Sequence, residues 1–271
     1  MKGKHLVKSS SHGFVKEHRG NYYIDRTKKL GTLIPNEIIL YELVQFLRKH
    51  YLSRRDLRIL DAGAGTKPYL PVYQKYFSSC ISFDMSTSPH NITCVDLISS
   101  ATALPFQSDS FDCIVCTEVL EHVPVPINVL KEFQRVLKKN GMLFLTTPFL
   151  VPLHEMPNDY YRYTPSALQY MARQAGLTVE NIVAKGGYFA FALLQMQFLM
   201  SKFWQLISRV THLRFYHPLN PIVFILIIMP QLLYLKWWKK NRVRQRTILQ
   251  TMRYDKLRHI TLGYVTTLLK L

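Results

Sequence analysis

The nine residues from Leu57 to Gly65, LRILDAGAG, constrain the fold more than any other stretch: a short apolar run ends in an acid and opens directly into a glycine-rich turn. Gly63 and Gly65 let the backbone take positive φ and approach a ligand closely, and the residues after them can open a helix whose free N–H groups face it. The segments beyond this turn have the spacing of an open α/β sheet: SFDMS at 82–86, VDL at 95–97, LPFQSDSFDCIVCTEVLEHV at 104–123 and RVLKKNGMLFLTTP at 135–148.

Short β-branched or aromatic runs bounded by Asp, Gly, Pro or Ser predict strands at Leu57–Leu60, Cys80–Phe83, Ile92–Val95, Phe111–Cys116 and Met142–Thr146. Between the last two, 125–139 reads as a helix with Val125, Val129, Phe133, Val136 and Leu137 on one face and Lys131, Glu132, Arg135 and Lys138 opposite, stopped by Asn140-Gly141. Alternating strand and helix implies a parallel sheet covered on both faces, with ligand at the carboxyl ends of the strands. Asp61, Asp84, Asp96 and Glu118 fall at that edge. An N-terminal helix from Pro35 to about Lys49, striped by Ile38, Ile39, Leu43, Phe46 and Leu47, is expected beside the cleft.

On these strings the segment from about 57 to 184 resembles a class I S-adenosylmethionine-dependent methyltransferase of the small-molecule and quinone-type branch, similar to methyltransferases of glycan and lipid biosynthesis. The family's first-strand motif, roughly D-x-G-x-G-x-G, is matched at Asp61, Gly63 and Gly65, with Lys67 in place of the last glycine. The resemblance implies a Rossmann-like fold, with a mostly parallel seven-stranded sheet whose last strand is antiparallel. It also implies S-adenosylmethionine as cofactor. Asp61, Gly63 and Gly65 would form the corner, Asp84 would accept the ribose hydroxyls, Met85 would flank the adenine, Asp96 and Leu97 would sit at its edge, and Thr117 and Glu118 would line the methionine end. The chemistry agrees: one carboxylate can accept both hydroxyls of a ribose, and Asp84 lies 23 residues past Asp61. A sulfonium donor also suits an acidic, partly desolvated cleft. A nicotinamide dehydrogenase would need the fuller G-x-G-x-x-G.

Charge is distributed unevenly within the net +18: residues 1–60 carry 13 Lys+Arg against 5 acids, 61–180 carry 8 against 11, and 181–271 carry 14 against 1. The excess of cations raises nucleic acid as a partner. The position after the fourth strand, where DNA amino-methyltransferases carry D/N-P-P-Y/F, reads CTEVLEH and speaks against it. Tyr188–Met200 and Pro221–Leu235 are almost free of charge and are followed by KWWKKNRVRQR at 236–246, a pattern suited to an anionic lipid surface. The 21 uncharged residues from Phe215 to Leu235 have bilayer length but contain Pro218, Pro221, Pro230, Asn220 and Gln231, so a re-entrant or interfacial helical pair is expected. MKGKHLVKSSSHGFVKEHRG lacks the apolar core of a secretory signal, so the catalytic part is expected on the cytoplasmic face of a membrane.

The expected organisation is a basic segment and helix at 1–55, the cofactor domain at 56–187, an apolar and basic helical insertion at 188–250, and a final strand within 251–271. The run ITLGYVTTLL at 260–269 would pair antiparallel with 177–184. The four cysteines, 80, 94, 113 and 116, fall in predicted strands, Cys113 and Cys116 on opposite faces, and no Cys or His set completes a metal site.

The acceptor chemistry is expected from the loop PFLVPLHEMPNDYYRYTPSAL at 148–168, just before a helix capped by Thr164. Methyl transfer to oxygen needs a base for the hydroxyl proton; His154 is the first candidate, Asp159 the second and His122 of EVLEHV the third. Asp159 and Arg162 could equally pair to hold the loop. The reading is a methyltransferase acting on a lipid-linked, glycan or isoprenoid-type acceptor at the membrane surface. Against it stand a soluble small-molecule methyltransferase with the insertion as a cap, and a non-catalytic membrane adaptor that binds the nucleotide.

Overall fold

The computed structural model describes residues 15–18, 21–24, 33–52, 56–211, 228–241 and 260–271. The described strands are β1 (Val15–His18), β2 (Asn21–Ile24), β3 (Arg58–Ala62), β4 (Ser79–Asp84), β5 (Leu97–Ile98), β6 (Phe111–Thr117), β7 (Leu137–Pro148), β8 (Thr178–Ala184) and β9 (Gly263–Leu269). The helices are α1 (Leu33–Tyr51), α2 (Leu70–Tyr73), α3 (Pro126–Val136), α4 (Pro165–Gln174), α5 (Tyr188–Thr211) and α6 (Met229–Asn241), with a 3₁₀ turn at Leu120–His122.

β1 and β2 form a separate hairpin, and the other seven strands make one sheet in the order β5-β4-β3-β6-β7-β9-β8. Neighbours from β5 to β7 are parallel, whereas β9 runs antiparallel to both β7 and β8. This is the expected mostly parallel, Rossmann-like sheet with an antiparallel last strand. The order reverses at β3, so the crevice beside its carboxyl end is where such a sheet receives a ligand.

The central strands are apolar on both faces because both are covered. Cys113, Val115, Ile59 and Phe144 join a cluster with α1, while Cys116, Ile114, Leu60 and Leu145 join one with α3 and α4. Cys113 and Cys116 therefore do point to opposite faces, and burial pushes both thiols up. All five stripe residues of α1 are buried. α5 and α6 pack against each other and onto α1: Gln231 Nε2 donates to Gln197 Oε1 at 2.6 Å, Lys239 pairs with Glu37 at 2.8 Å, and the fully buried Trp238 meets Tyr41 edge-on at 5.4 Å.

Three local expectations differ. No strand forms at 92–95, so Cys94 lies outside the sheet: the Asn91 side chain accepts from Thr93 N and turns the chain, and pairing with β4 waits until Leu97. The helix expected over 125–139 ends at Val136, because Asp109 N and Ser110 N cap the carbonyls of Arg135 and Val136. Leu137 already pairs with Phe111 in the sheet, and Asn140 takes φ +60° within β7 rather than stopping a helix. Of the insertion expected at 188–250, residues 212–227 and 242–250, including Pro218, Asn220, Pro221, Arg242, Arg244 and Arg246, lie outside the described residues.

Candidate functional site

The strand ends at one edge of the sheet open into a cavity of about 790 Å³, within the range that accommodates small-molecule ligands. Gly63, Gly65, Asp84, Met85, Thr117, Glu118, His122 and His154 all line it, so eight of the twelve residues singled out in the sequence converge there.

The glycine turn is built from backbone. Gly63 has φ +65° and Gly65 φ +49°. A Cβ at Gly63 would also overlap Val119, so position 63 is glycine for conformation and for space. Lys67, standing where the family has its third glycine, also lies in the left-handed region at φ +52°. Its ammonium donates to Asp96 Oδ2 at 2.8 Å, and the same oxygen accepts from Ser82 N and Oγ. This clamp ties the turn to β4 and keeps Asp96 out of the cavity wall; Leu97 sits beside it in β5 and does not line the cavity either. Those hydrogen bonds hold the Asp96 carboxyl below its ordinary value against a desolvation that acts the other way.

Asp61 lies beneath the turn. Burial pushes its carboxyl up to about 7, opposed by a hydrogen bond from the Tyr73 hydroxyl at 3.3 Å. Asp84, 6% exposed, accepts Gly65 N on Oδ2 and Met85 N on Oδ1, each at 2.8 Å. Every carboxylate oxygen can take a second hydrogen bond, so one lone pair on each remains for a vicinal diol. A glycine-lined turn with a buried, half-engaged carboxylate fits the ribose of a nucleoside cofactor.

The opposite wall comes from the loop after β7. Asp159 is the anchor of that loop: its carboxylate accepts Arg162 Nη1 at 2.6 Å, Arg162 Nη2 at 2.8 Å and His154 N at 2.9 Å. The guanidinium holds Asp159 well below the usual carboxylate range, and the residue does not line the cavity. This corrects its candidacy as a base, since a carboxylate so stabilised is a poor proton acceptor. His154 faces the cavity with Nδ1 at 3.2 Å from Pro152 O, its ring 5.0 Å from that of His122 at 86°. His122 Nδ1 donates to Asn158 O at 2.7 Å, which leaves Nε2 facing Glu121 Oε1 at 3.7 Å and Glu155 Oε2 at 3.6 Å.

Several residues were missed in the sequence. Glu155 links His122 to His90 Nε2, at 3.1 Å, across the cavity mouth. Glu121 is fully buried with neither carboxylate oxygen hydrogen-bonded among the described residues, and burial with the nearby Glu118 pushes it well above the carboxylate range. Glu121, His122 and His154 place ligand atoms within 4.8 Å of one another, a set that could hold a metal ion and that no local spacing announces. Lys185, the residue after β8, is 1% exposed and donates to Glu118 Oε1 at 2.7 Å, an oxygen that also accepts from Thr146 Oγ1 at 2.7 Å. An apolar wall is completed by Ile39 of α1, Leu194 and Phe198 of α5, and Leu262. Lys185 was findable as the first residue past a strand at the ligand edge; the apolar wall was not, because its members are about 220 residues apart in sequence.

The family model for a methyltransferase domain matches residues 16–218, three quarters of the chain. The chain belongs to the methyltransferase domain family. It is a class I S-adenosylmethionine-dependent methyltransferase, and the glycine turn and Asp84 fit that cofactor. Among curated relatives, the ubiquinone biosynthesis O-methyltransferase of Histophilus somni (strain 2336) is 25% identical, the match covering 59% of this chain and 77% of the relative. The enzyme of the same name from Pseudomonas aeruginosa (strain LESB58) is 26% identical, with 46% of this chain and 66% of the relative covered. The crystal structure of the [4+2]-cyclase SpnF superposes with a TM-score of 0.50 at 16% identity, over 96% of this chain and 88% of that one. That likeness shows the fold alone; the activity is carried by the family and the site.

Proposed function

We propose that this methyltransferase acts on an oxygen of a lipid-linked, isoprenoid-type or glycan acceptor at an anionic membrane surface, with the catalytic part on the cytoplasmic side. One observation carries the reading. α5 contributes Leu194 and Phe198 to the cavity wall while the same helix exposes Phe189, Met196, Leu199 and Phe203 to solvent. α6 adds exposed Met229, Leu233 and Trp237, interleaved with exposed Lys236 and Lys240, and Lys202 lies on α5. An exposed apolar face rimmed by cations suits an anionic bilayer, and a helix that also lines the cavity gives an apolar acceptor a continuous path inward. No helix among the described residues is long and apolar enough to cross a membrane, so the attachment proposed is interfacial.

Asp84, Met85, Gly63 and Gly65 would hold the nucleoside of the cofactor, and Thr117 and Glu118 its methionine end. When bound, S-adenosylmethionine supplies an electrophilic methyl on a sulfonium. His154 takes the hydroxyl proton of the acceptor, its backbone fixed by Asp159 and its ring set against His122. The remaining effect is positioning of acceptor oxygen against donor methyl. The relatives named for ubiquinone biosynthesis favour the isoprenoid-type acceptor.

A second reading has its own support. Trp238 and Leu235 are buried, and α6 is pinned to α1 by the Lys239–Glu37 pair, as in a packed cap over a soluble acceptor. Incubating the protein and labelled cofactor with a membrane extract, and separately with its aqueous fraction, decides between the two. Label in the lipid phase supports the membrane acceptor, and label only in the aqueous fraction overturns it.

A further inference from the structure

Lys185 is a buried cation in a largely apolar part of the cavity. Its ammonium has three protons to donate; Glu118 takes one, and no described residue takes the others. The fold makes room for it. Gly263, opposite in β9, has no side chain, and a Cβ there would overlap both the Lys185 side chain and the Thr147 carbonyl. Lys185 N donates to Gly263 O at 2.7 Å and Thr261 Oγ1 donates to Lys185 O at 3.2 Å, so its backbone is fixed as well. Glu118 engages Lys185 and Thr146 through Oε1, and both Glu118 and Lys185 line the cavity. An ammonium with unmet donors in so dry a place is costly unless a ligand oxygen completes its shell.

We propose that Lys185, anchored by Glu118, is the residue that positions the methyl acceptor by holding an oxygen that carries negative charge. This rests on the methyl-transfer reading above and adds a selectivity to it. An opposite charge at hydrogen-bond distance favours ionisation of an acidic hydroxyl, whereas an alcohol titrates too far above neutrality for one cation to ionise it. The acceptor therefore presents an acidic oxygen at this end and its apolar part to Ile39, Leu194, Phe198 and Leu262. On binding the acceptor O–H gives its proton to the histidine side of the cavity and Lys185 holds the oxyanion; in the transfer the oxygen–methyl bond forms as the carbon–sulfur bond breaks, and the electron pair stays on sulfur. Lys185 keeps its proton throughout. The titratable groups near it are Glu118 and, further along the same loop, Glu121, whose neutral form is favoured by burial; Tyr234 of α6 lies next to the adjoining Gly186.

The test uses 4-nitrocatechol, whose anion absorbs visible light, titrated against the full-length protein with S-adenosylhomocysteine present. Wild type and Lys185→Arg should ionise the bound probe at least one pH unit below the free probe, a tenfold shift. Lys185→Met should return it to the free value while cofactor affinity by calorimetry stays within about threefold. Should Lys185→Met fail to fold, Lys185→Gln, which keeps a hydrogen-bond donor for Glu118 but no charge, gives the same comparison of probe ionisation. Equal shifts with and without the lysine, or a wild type that leaves the probe neutral, overturn the proposal. The proposed acceptor is judged separately by label in membrane lipid: lipid labelling without a probe shift removes Lys185's role alone, and a probe shift without lipid labelling removes the lipid acceptor alone.

Discussion

The glycine corner and the acceptor wall face each other across one cavity and are held in opposite ways. The corner is made of backbone amides, glycines and Asp84, drawn from three adjacent parallel strands and their turns, and its bonds are short and local to the strand ends. The wall is assembled from α1, the loop after β7, the residue after β8, α5 and the residue before β9. It includes an ion pair, a histidine pair and an apolar strip that faces outward as well as inward. A nucleoside is met by geometry that many sequences can reproduce from one motif, whereas the acceptor is met by side chains whose arrangement belongs to this chain.

The sharpest way to separate the two halves is to remove the proposed base. His154→Ala should lower turnover by about 10² to 10⁴ and leave S-adenosylmethionine affinity nearly unchanged, since the imidazole makes no bond to the corner. Turnover assays beside calorimetry check this; unaltered turnover removes His154 from the mechanism.

The next effect lies under the corner. Asp61 titrates at about 7 in the fold against 3.8 for an ordinary aspartate. The neutral acid is the form the fold prefers, so this group imposes no penalty below about pH 4. As pH rises through about 4 to 7 the unfolded chain ionises first and stability falls, by up to about 4 kcal/mol. Asp61→Asn should flatten that decline. Denaturant midpoints measured from pH 4 to pH 8 that fall in parallel for both proteins would show that Asp61 does not carry it.

Asp84→Ala should weaken S-adenosylmethionine binding by about 2 to 4 kcal/mol, through loss of charge-assisted bonds, without displacing the acceptor wall. Calorimetry showing equal affinity in a folded mutant would remove Asp84 from the site. The smallest effects are on the outer face. Replacing exposed Lys202, Lys236 and Lys240 by Gln should each cost about 1 kcal/mol of affinity for anionic vesicles, while high salt alone should not release the wild type, because the apolar face is insensitive to salt. Vesicle co-sedimentation that ignores lipid composition altogether would favour the packed cap.

The sheet and the corner were legible in the sequence because their signals are local. A buried parallel strand must be apolar and short, a turn with positive φ takes glycine, and the acid that meets a ribose comes at the next strand end. Gly63 and Gly65 could be named from the turn, and Asp84 from the family resemblance with a spacing that agrees. The same locality explains the errors: Ile92–Val95 has the composition of a strand, but the Asn91 turn and the Asp96 clamp decide where pairing begins. Leu137 continues the apolar stripe of a helix, yet the loop at 109–110 ends that helix one residue earlier.

The sequence by itself determined an open α/β sheet with a glycine corner, through its spacing, and the contrast between an acidic core and basic ends, through its composition; the resemblance to the family added the strand count and the cofactor. Only the tertiary structure decided which polar residues act together. Asp159 left the list of bases when its carboxylate closed on Arg162; Asp96 became a clamp through Lys67; Glu121 became a buried carboxyl behind His122 and Lys185 a buried residue of the cavity wall. The physical reason is range. Backbone conformation and strand burial depend on neighbours a few residues away, whereas the protonation, pairing and exposure of a side chain depend on whatever the fold brings against it, here as far apart as Lys185 and Glu118 or Lys239 and Glu37.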